Sequence, residues 1–273
     1  MTLKVNSKTL KYSKTNMEST YAYHDTKVDV NGSDFTITPT ERVYKFKTET
    51  TVPKLGVMFV GWGGNNGSTV TAGILANKHK MSWNTKEGSF DANWFGSLTQ
   101  ASTTRIGTGK NGKQIYIPMK DMLPMCDPTD IAVGGWDIND MSIGDAMKRA
   151  KVLPYDLQRQ LYPLMKDLKP LKSIYVPDFI AANQEDRANN CYKGTSAELM
   201  QRIRTDISDF KKTNKLDKVI VLWTANTERF CDVRKGLNDT ADAVLNSIKD
   251  GAEEVSPSCI FAVASILEGC SYI

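Results

Sequence analysis

The main pattern along the chain is a recurrence of short apolar runs separated by stretches of helical period. Leu55–Gly56–Val57–Met58–Phe59–Val60 follows Pro53, and its length and composition predict a buried strand. Ile131–Ala132–Val133–Gly134–Gly135–Trp136 predicts a second strand, ending in Asp137. Ile174–Tyr175–Val176, closed by Pro177, predicts a third, and Val219–Ile220–Val221–Leu222–Trp223 is the clearest buried strand. Helices are predicted between them. One starts over Val70 to Ala76, after the cap-type residues Ser68 and Thr69. Others run from Ser142 to Ala150 and from Pro154, a favoured starting residue, to Leu168. Leu199, Ile203, Ile207 and Phe210 recur at helical spacing, with Lys211, Lys212 and Lys215 where cations suit the helix dipole. Leu237, Ala241, Val244, Leu245 and Ile248 form a further amphipathic set, ended by Gly251. Alternating strands and helices of this kind predict an α/β fold with a mostly parallel sheet covered by helices on both faces.

Two regions depart from that rhythm. Residues 1–50 are polar and rich in Thr, Lys and Ser, and Tyr21–Ala22–Tyr23 and Phe35–Thr36–Ile37–Thr38 predict short strands on an extended N-terminal arm. Residues 81–128 lack clear periodicity, with Trp83, Phe90, Trp94 and Phe95 as apolar anchors among small polar residues. So long an irregular stretch is expected to carry local structure or a site. The division expected is an arm over 1–50 and an α/β domain over 51–273.

Composition narrows the class. With 273 residues, 40% hydrophobic and 24% charged, the chain is neither disordered nor collagen-like. A net charge of +4 is mild and gives no reason to expect a nucleic-acid partner. No apolar run approaches the ~20 residues that span a bilayer, and the lysines near the N-terminus precede no apolar stretch. No membrane partner or secretory signal is expected. Cys126, Cys191, Cys231, Cys259 and Cys270 are odd in number, widely spaced and without a CxxC pair, which predicts reduced thiols in the cytosol. His24 and His79 lie far from any cysteine in sequence, so no metal site is expected.

In parallel α/β sheets ligands sit beyond the carboxyl ends of the strands, so the chemistry is sought there. Gly61–Trp62–Gly63–Gly64–Asn65–Asn66–Gly67 follows a predicted strand and opens a helix, the context of a dinucleotide loop. Its fit to GxGxxG is imperfect, because Gly61 and Gly63 match but Asn66 precedes Gly67. The acid that would accept from a ribose is either Glu87, at the usual sequence distance, or Asp137, at a strand end. Asp137 could equally cap a turn near Asn139. After the third strand, Ala181 to Asn190 offers polar groups of which Arg187 is the strongest candidate for phosphate or ribose. After the fourth, Thr224–Ala225–Asn226–Thr227 has the small polar residues that let backbone approach a nicotinamide, or that cap the next turn. No Ser–His–Asp arrangement is visible.

Together these loops resemble the myo-inositol-phosphate synthase (inositol-3-phosphate synthase) family. The resemblance rests on GWGGNNGSTVTAG (Gly61 to Gly73), FGSLTQASTTRIG (Phe95 to Gly107), GGWDIN (Gly134 to Asn139) and ANQEDRANN (Ala182 to Asn190). LWTANTERF (Leu222 to Phe230) and SPSCIFAVASILEG (Ser256 to Gly269) continue it. It covers about residues 50–273, and the tyrosine-bearing Thr20 to Val30 also looks like the family's N-terminal segment. The resemblance implies a Rossmann-like NAD-binding domain in a cytosolic homotetramer. It implies conversion of D-glucose 6-phosphate to 1D-myo-inositol 3-phosphate, the first step of inositol and inositol-phospholipid synthesis, by oxidation, enolisation, aldol closure and re-reduction.

Position by position, the resemblance places Gly64, Asn65 and Asn66 on the pyrophosphate loop and favours Asp137 over Glu87 as the adenosine-ribose acid. It places Ser173, Ile174, Gln184 and Arg187 on further cofactor contacts, and Thr224, Ala225, Asn226 and Thr227 near the nicotinamide. The family's catalytic lysines and tetramer-forming sheet match no position before Ile273, so no catalytic residue is assigned and these 273 residues alone are expected to be inactive. The same feature leaves open an NAD-binding short paralogue or regulatory subunit without catalysis. An ordinary nicotinamide dehydrogenase fits less well, given the unusual GWGGNNG loop and the lack of a substrate domain. An apolar face including Phe261, Val263, Ile266 and Leu267 is expected to lack partners, giving a marginally stable or aggregating chain.

Overall fold

The computed structural model describes residues 3–273. In chain order its elements begin with β1 (Leu10–Tyr12), β2 (Asn16–Asn31), β3 (Asp34–Glu49), β4 (Leu55–Val60), α1 (Asn65–Lys78), β5 (Ser82–Thr85) and β6 (Gly88–Asp91). There follow α2 (Leu98–Ala101), β7 (Thr103–Thr108), β8 (Gln114–Pro118), β9 (Ala132–Asp137), α3 (Ile143–Ala150), α4 (Tyr155–Met165) and β10 (Leu171–Lys172). The last are α5 (Ser196–Thr213), β11 (Lys218–Trp223), α6 (Ala241–Asp250), α7 (Pro257–Leu267) and β12 (Ser271–Tyr272). Among the described residues no helix is long and apolar enough to cross a membrane.

The chain divides into two compact units. One takes in the residues up to Val52 together with Trp94–Met125; the other comprises Pro53–Asn93 and Cys126–Ile273. Residues 94–125 thus group with the N-terminal segment and not with the α/β unit, and the irregular stretch 81–128 is shared between them as the hairpins β5–β6 and β7–β8. Phe95, expected as an apolar anchor, is 85% exposed.

In the first unit β1, β2 and β3 form an antiparallel sheet. The short strands expected here are in fact two strands of 16 residues each, paired from Asn16↔Glu49 to Asn31↔Asp34 around a two-residue turn. The reason they read as short is a change of face. Opposed residues of an antiparallel pair share a face. Tyr21↔Tyr44 lies on one face, whereas Val28↔Ile37 and Val30↔Phe35 lie on the other. No single alternation therefore runs the length of either strand.

The second unit is built on a wholly parallel five-stranded sheet in the order β10-β9-β4-β11-β12. Counted along the chain, that is third, second, first, fourth, fifth, so the direction of winding reverses between β4 and β11. Both faces are covered. Met58 and Val60 of β4 join Val219 and Val221 of β11 against Ile203 and Ile207 of α5, Ile248 of α6 and Ile260 and Phe261 of α7. Phe59 points the other way, onto Ala72 and Ala76 of α1, Ile143 and Met147 of α3 and Leu157 and Leu161 of α4. This two-sided burial accounts for strands that read as continuous apolar runs.

Several boundaries differ from the sequence reading. Ser68 and Thr69 lie inside α1; Gly64 is its N-cap, and Ser68 Oγ donates back to Gly64 O at 2.8 Å. Pro154 stands at the N-cap of α4, which ends at Met165, and Leu237 precedes α6. The third strand lies upstream of Ile174–Val176, at Leu171–Lys172, with a single parallel bridge from Ser173 to Cys191 beyond it. The chain turns away where Val176 O accepts from Phe179 N and Ile180 N. Phe261 is fully buried, its ring edge-on to Trp136 at 5.1 Å, because α7 presents Ile260, Phe261 and Ala264 inward. Ile266 and Leu267, on its other side, are exposed as expected.

Candidate functional site

At the reversal of strand order a parallel sheet opens a crevice, because the connections from neighbouring strands leave to opposite faces. Here the crevice is a cleft of about 560 Å³ at the carboxyl ends of β4, β9 and β11, within the usual range for small-molecule sites.

Its floor is the glycine loop after β4. The amides of Gly61 and Trp62 both donate to Trp136 O, at 2.8 and 2.9 Å, tying the loop to β9. Gly61 has φ +89°, and a Cβ there would lie 2.8 Å from the Ala225 Cα, so only glycine lets this loop pass the segment after β11. At Gly67 a Cβ would fall 2.4 Å from Trp62 O. Gly67 therefore lets α1 pack closely on the backbone of the loop at Trp62, one residue later than the third glycine of the usual spacing. The misfit in the motif is thereby accounted for. No side chain caps α1 and its first turn holds no acidic residue, so the amides and partial positive charge at this helix start face the cleft unneutralised.

Asp137, at the end of β9, is 4% exposed. Burial raises its carboxyl above the usual range. The amides of Asn139 (3.0 Å) and Gly63 and the charges of Arg187 and Arg149 act in the opposite direction, but burial is the larger effect. The carboxylate caps the turn at Asn139 and also lines the cleft, so the capping role does not take it away from the cleft. Ser173 and Ile174 follow β10 and are buried. Gln184 and Arg187 sit on a 3-10 turn, with Arg187 Nη1 donating to Gln184 Oε1 at 3.2 Å. After β11, Thr224 is held by two donations to Val60 O, from its amide at 2.9 Å and its hydroxyl at 3.0 Å. Ala225, Asn226 and Thr227 continue that wall.

Gly64, Asn65, Asn66, Asp137, Ser173, Ile174, Gln184, Arg187, Thr224, Ala225, Asn226 and Thr227 all line this one cleft. Glu87 does not; it stands in the turn between β5 and β6. Sequence reading missed Arg149, Ile180 and Trp223, which also line it. Arg149, in the last turn of α3, donates from Nη2 to Gly63 O at 2.8 Å and so holds the glycine loop from the side. Its one sequence signal is a basic residue in the helix that follows the strand-end acid. Among the described residues no cluster of His, Cys, Asp and Glu is arranged to hold a metal ion, and all five cysteines are free.

A reversed parallel sheet, a glycine loop running into an uncapped helix start and a buried acid at the next strand end define a dinucleotide-binding domain of Rossmann type. The comparisons with known proteins are of one kind. The NAD-binding family model described as myo-inositol-1-phosphate synthase matches residues 55–273. Inositol-3-phosphate synthase 1-A of Xenopus laevis is 55% identical over 270 residues, covering 99% of this chain and 48% of the relative. The inositol-3-phosphate synthase of Brassica napus is 53% identical over 274 residues, covering 99% and 54%. The crystal structure of inositol-3-phosphate synthase from Caenorhabditis elegans superimposes with a TM-score of 0.94 at 48% identity, covering 99% of this chain and 53% of that one. The chain belongs to the myo-inositol-1-phosphate synthase family, and its cofactor is NAD. It spans about half the length of the curated relatives it matches.

Proposed function

We propose that this chain is the cofactor half of an enzyme that converts D-glucose 6-phosphate to 1D-myo-inositol 3-phosphate, working as a homotetramer in the cytosol at the entry to inositol and inositol-phospholipid synthesis. The observation that carries the reading is the convergence of the Gly64–Asn66 helix start, the Asp137 carboxylate and the Thr224–Thr227 segment in one cleft. The relatives' names supply the product, the family resemblance supplies the substrate, and free cysteines suit a reducing compartment.

The residues fit the cofactor. The uncapped start of α1 at Gly64, Asn65 and Asn66 offers amide donors to a pyrophosphate, with no carboxylate in the first turn to repel it. Asp137 lines the cleft as an acceptor for a ribose diol, and its carboxylate would repel a phosphate added to that ribose. Ser173, Ile174, Gln184 and Arg187 close the adenosine side, and Thr224, Ala225, Asn226 and Thr227 seat the nicotinamide side. Bound NAD+ supplies a hydride acceptor that later returns the hydride, so the sugar undergoes no net redox change. The lining of the cleft contains no lysine and no histidine among the described residues. The groups that move protons during enolisation and ring closure are therefore assigned outside it.

The test is to incubate the 273-residue chain, and the same chain followed by the remaining half of the Xenopus laevis relative, with NAD+ and glucose 6-phosphate, and to quantify inositol phosphate. Product from the longer protein and none from the shorter is expected. Product from the shorter would overturn the assignment of proton transfer outside these residues. No product from a longer protein that binds NAD+ would overturn the proposed reaction.

A further inference from the structure

The segment that seats the nicotinamide side is not held by the cleft alone. Beyond Thr227 it is pinned from behind by Glu254, which lies between α6 and α7 and is 8% exposed. Its carboxylate accepts from Arg229 Nη1 and Nη2, both at 3.1 Å, from Arg234 Nη2 at 3.4 Å and from the Asp232 amide at 3.3 Å. A two-pronged guanidinium–carboxylate pair of this kind fixes orientation as well as distance. Burial of one carboxylate among two guanidiniums also makes removal of its charge costly.

Arg229 carries the constraint onward. Its Nε donates to Asp178 O at 3.0 Å, its guanidinium lies 4.0 Å over the Phe179 ring, and its amide donates to Phe179 O at 2.9 Å. Next to it, Ile180 and Glu228 form an antiparallel bridge. Ile180 lines the cleft, as does Thr227. One arginine therefore joins two backbone segments that line the cleft, the one ending at Ile180 and the one ending at Thr227. A second carboxylate completes the arrangement: Glu228 accepts from the Ser258 amide at 3.0 Å and its hydroxyl at 2.5 Å, anchoring the segment to the start of α7. Neither Arg229 nor Glu254 lines the cleft itself. The adenosine side is held by other groups: Arg149 donates to Gly63 O at 2.8 Å, Asn139 to Arg187 O at 3.0 Å and Asn190 to Asp137 O at 3.0 Å.

We infer that Glu254 is a positioning residue for the nicotinamide end of the cofactor, acting through Arg229 on Thr224–Thr227, and that it leaves the adenosine and pyrophosphate subsites untouched. The inference rests on the cofactor reading proposed above. It separates two ligands that a general loss of stability would not separate. NAD+ needs both ends of the cleft, whereas ADP needs only the adenosine and pyrophosphate end.

The experiment measures the Kd of NAD+ and of ADP by calorimetry for the unsubstituted chain, Glu254→Gln, Glu254→Asp and Arg229→Lys. Glu254→Gln is expected to weaken NAD+ about tenfold, the scale of coupling through a supporting contact, and to change ADP by less than about twofold. Glu254→Asp, which keeps the charge, is expected to recover part of the NAD+ affinity. Should Glu254→Gln fail to fold, Arg229→Lys carries the same test, since lysine keeps the charge but loses the two-pronged contact. Parallel weakening of NAD+ and ADP, or no change in either, would overturn the inference while leaving the cofactor reading intact. An unsubstituted chain that is folded and binds neither ligand would overturn the cofactor reading and the inference with it.

Discussion

Asp137 and Glu254 are both buried carboxylates, yet their surroundings push them in opposite directions. Around Asp137 burial outweighs the two amides and two nearby arginines, and the carboxyl is raised. Around Glu254 the bonds from Arg229, first, and then the Asp232 amide and the charges of Arg229 and Arg234 hold it below the ordinary glutamate range. The difference has a consequence for pH. Ribose recognition uses the ionised acceptor, so NAD+ affinity is expected to fall on acidification through the raised pKa of Asp137. The decline should begin above the ordinary aspartate value of about 3.9, while Glu254 is still ionised. Titration of NAD+ at a series of pH values checks this; affinity unchanged down to the ordinary aspartate range would contradict it. Asp137→Ala removes a charged acceptor and should weaken NAD+ by about ten- to a hundredfold, equivalent to ~1.5–3 kcal/mol. A change smaller than about twofold would place the ribose elsewhere.

At the scale of elements, α7 joins the core to the cleft. Phe261 is fully buried edge-on to Trp136 at 5.1 Å and to Trp223 at 6.1 Å, and Trp223 lines the cleft. Phe261→Ala should cost about 3–5 kcal/mol and lower the Tm by roughly 10 °C for a unit of this size, as followed by circular dichroism. An unshifted Tm would mean that α7 is not integral to this core. The elements of the parallel sheet were legible because their residues meet core on both sides, which leaves an unbroken apolar signal in Val57 to Val60 and Val219 to Trp223. Their boundaries were less so. Ser68 and Thr69 look like caps, but they lie inside α1, whose N-cap is Gly64 with no capping side chain, so the helix start stays open. Arg149 stayed hidden because its role depends on α3 lying beside the glycine loop, and no spacing in sequence encodes that. Arg229 and Glu254, separated by 25 positions, were hidden for the same reason. The site residues named by resemblance all came together, whereas the residues that hold them in place required the fold.

At the scale of the whole molecule, the two units differ in how well they bury what they carry. The α/β unit encloses its apolar residues on both faces of the sheet. The long β2–β3 ribbon does not: Phe35 is 67% exposed, Ile37 65%, Val30 58% and Tyr21 56%. Among the described residues only Met17–Ser19 of β2 is paired beyond the ribbon, by β1; the rest is a two-stranded ribbon, marginal in water, and apolar ribbons with free edges associate. The 273-residue chain is therefore expected to self-associate in a concentration-dependent way. Replacing Phe35 and Ile37 by lysine should reduce that association as seen by light scattering, without altering cofactor binding. A strictly monomeric parent chain would show that the ribbon finds its cover by other means.

The cleft at the reversal of strand order is the proposed seat of NAD. The most direct test is titration of the folded 273-residue chain with NAD+ by calorimetry, alongside Asp137→Ala. Saturable binding of one NAD+ per chain, weakened at least tenfold by the substitution, is the expected result. A folded chain that takes up no NAD+, or that binds it equally well without the Asp137 carboxylate, would contradict the claim.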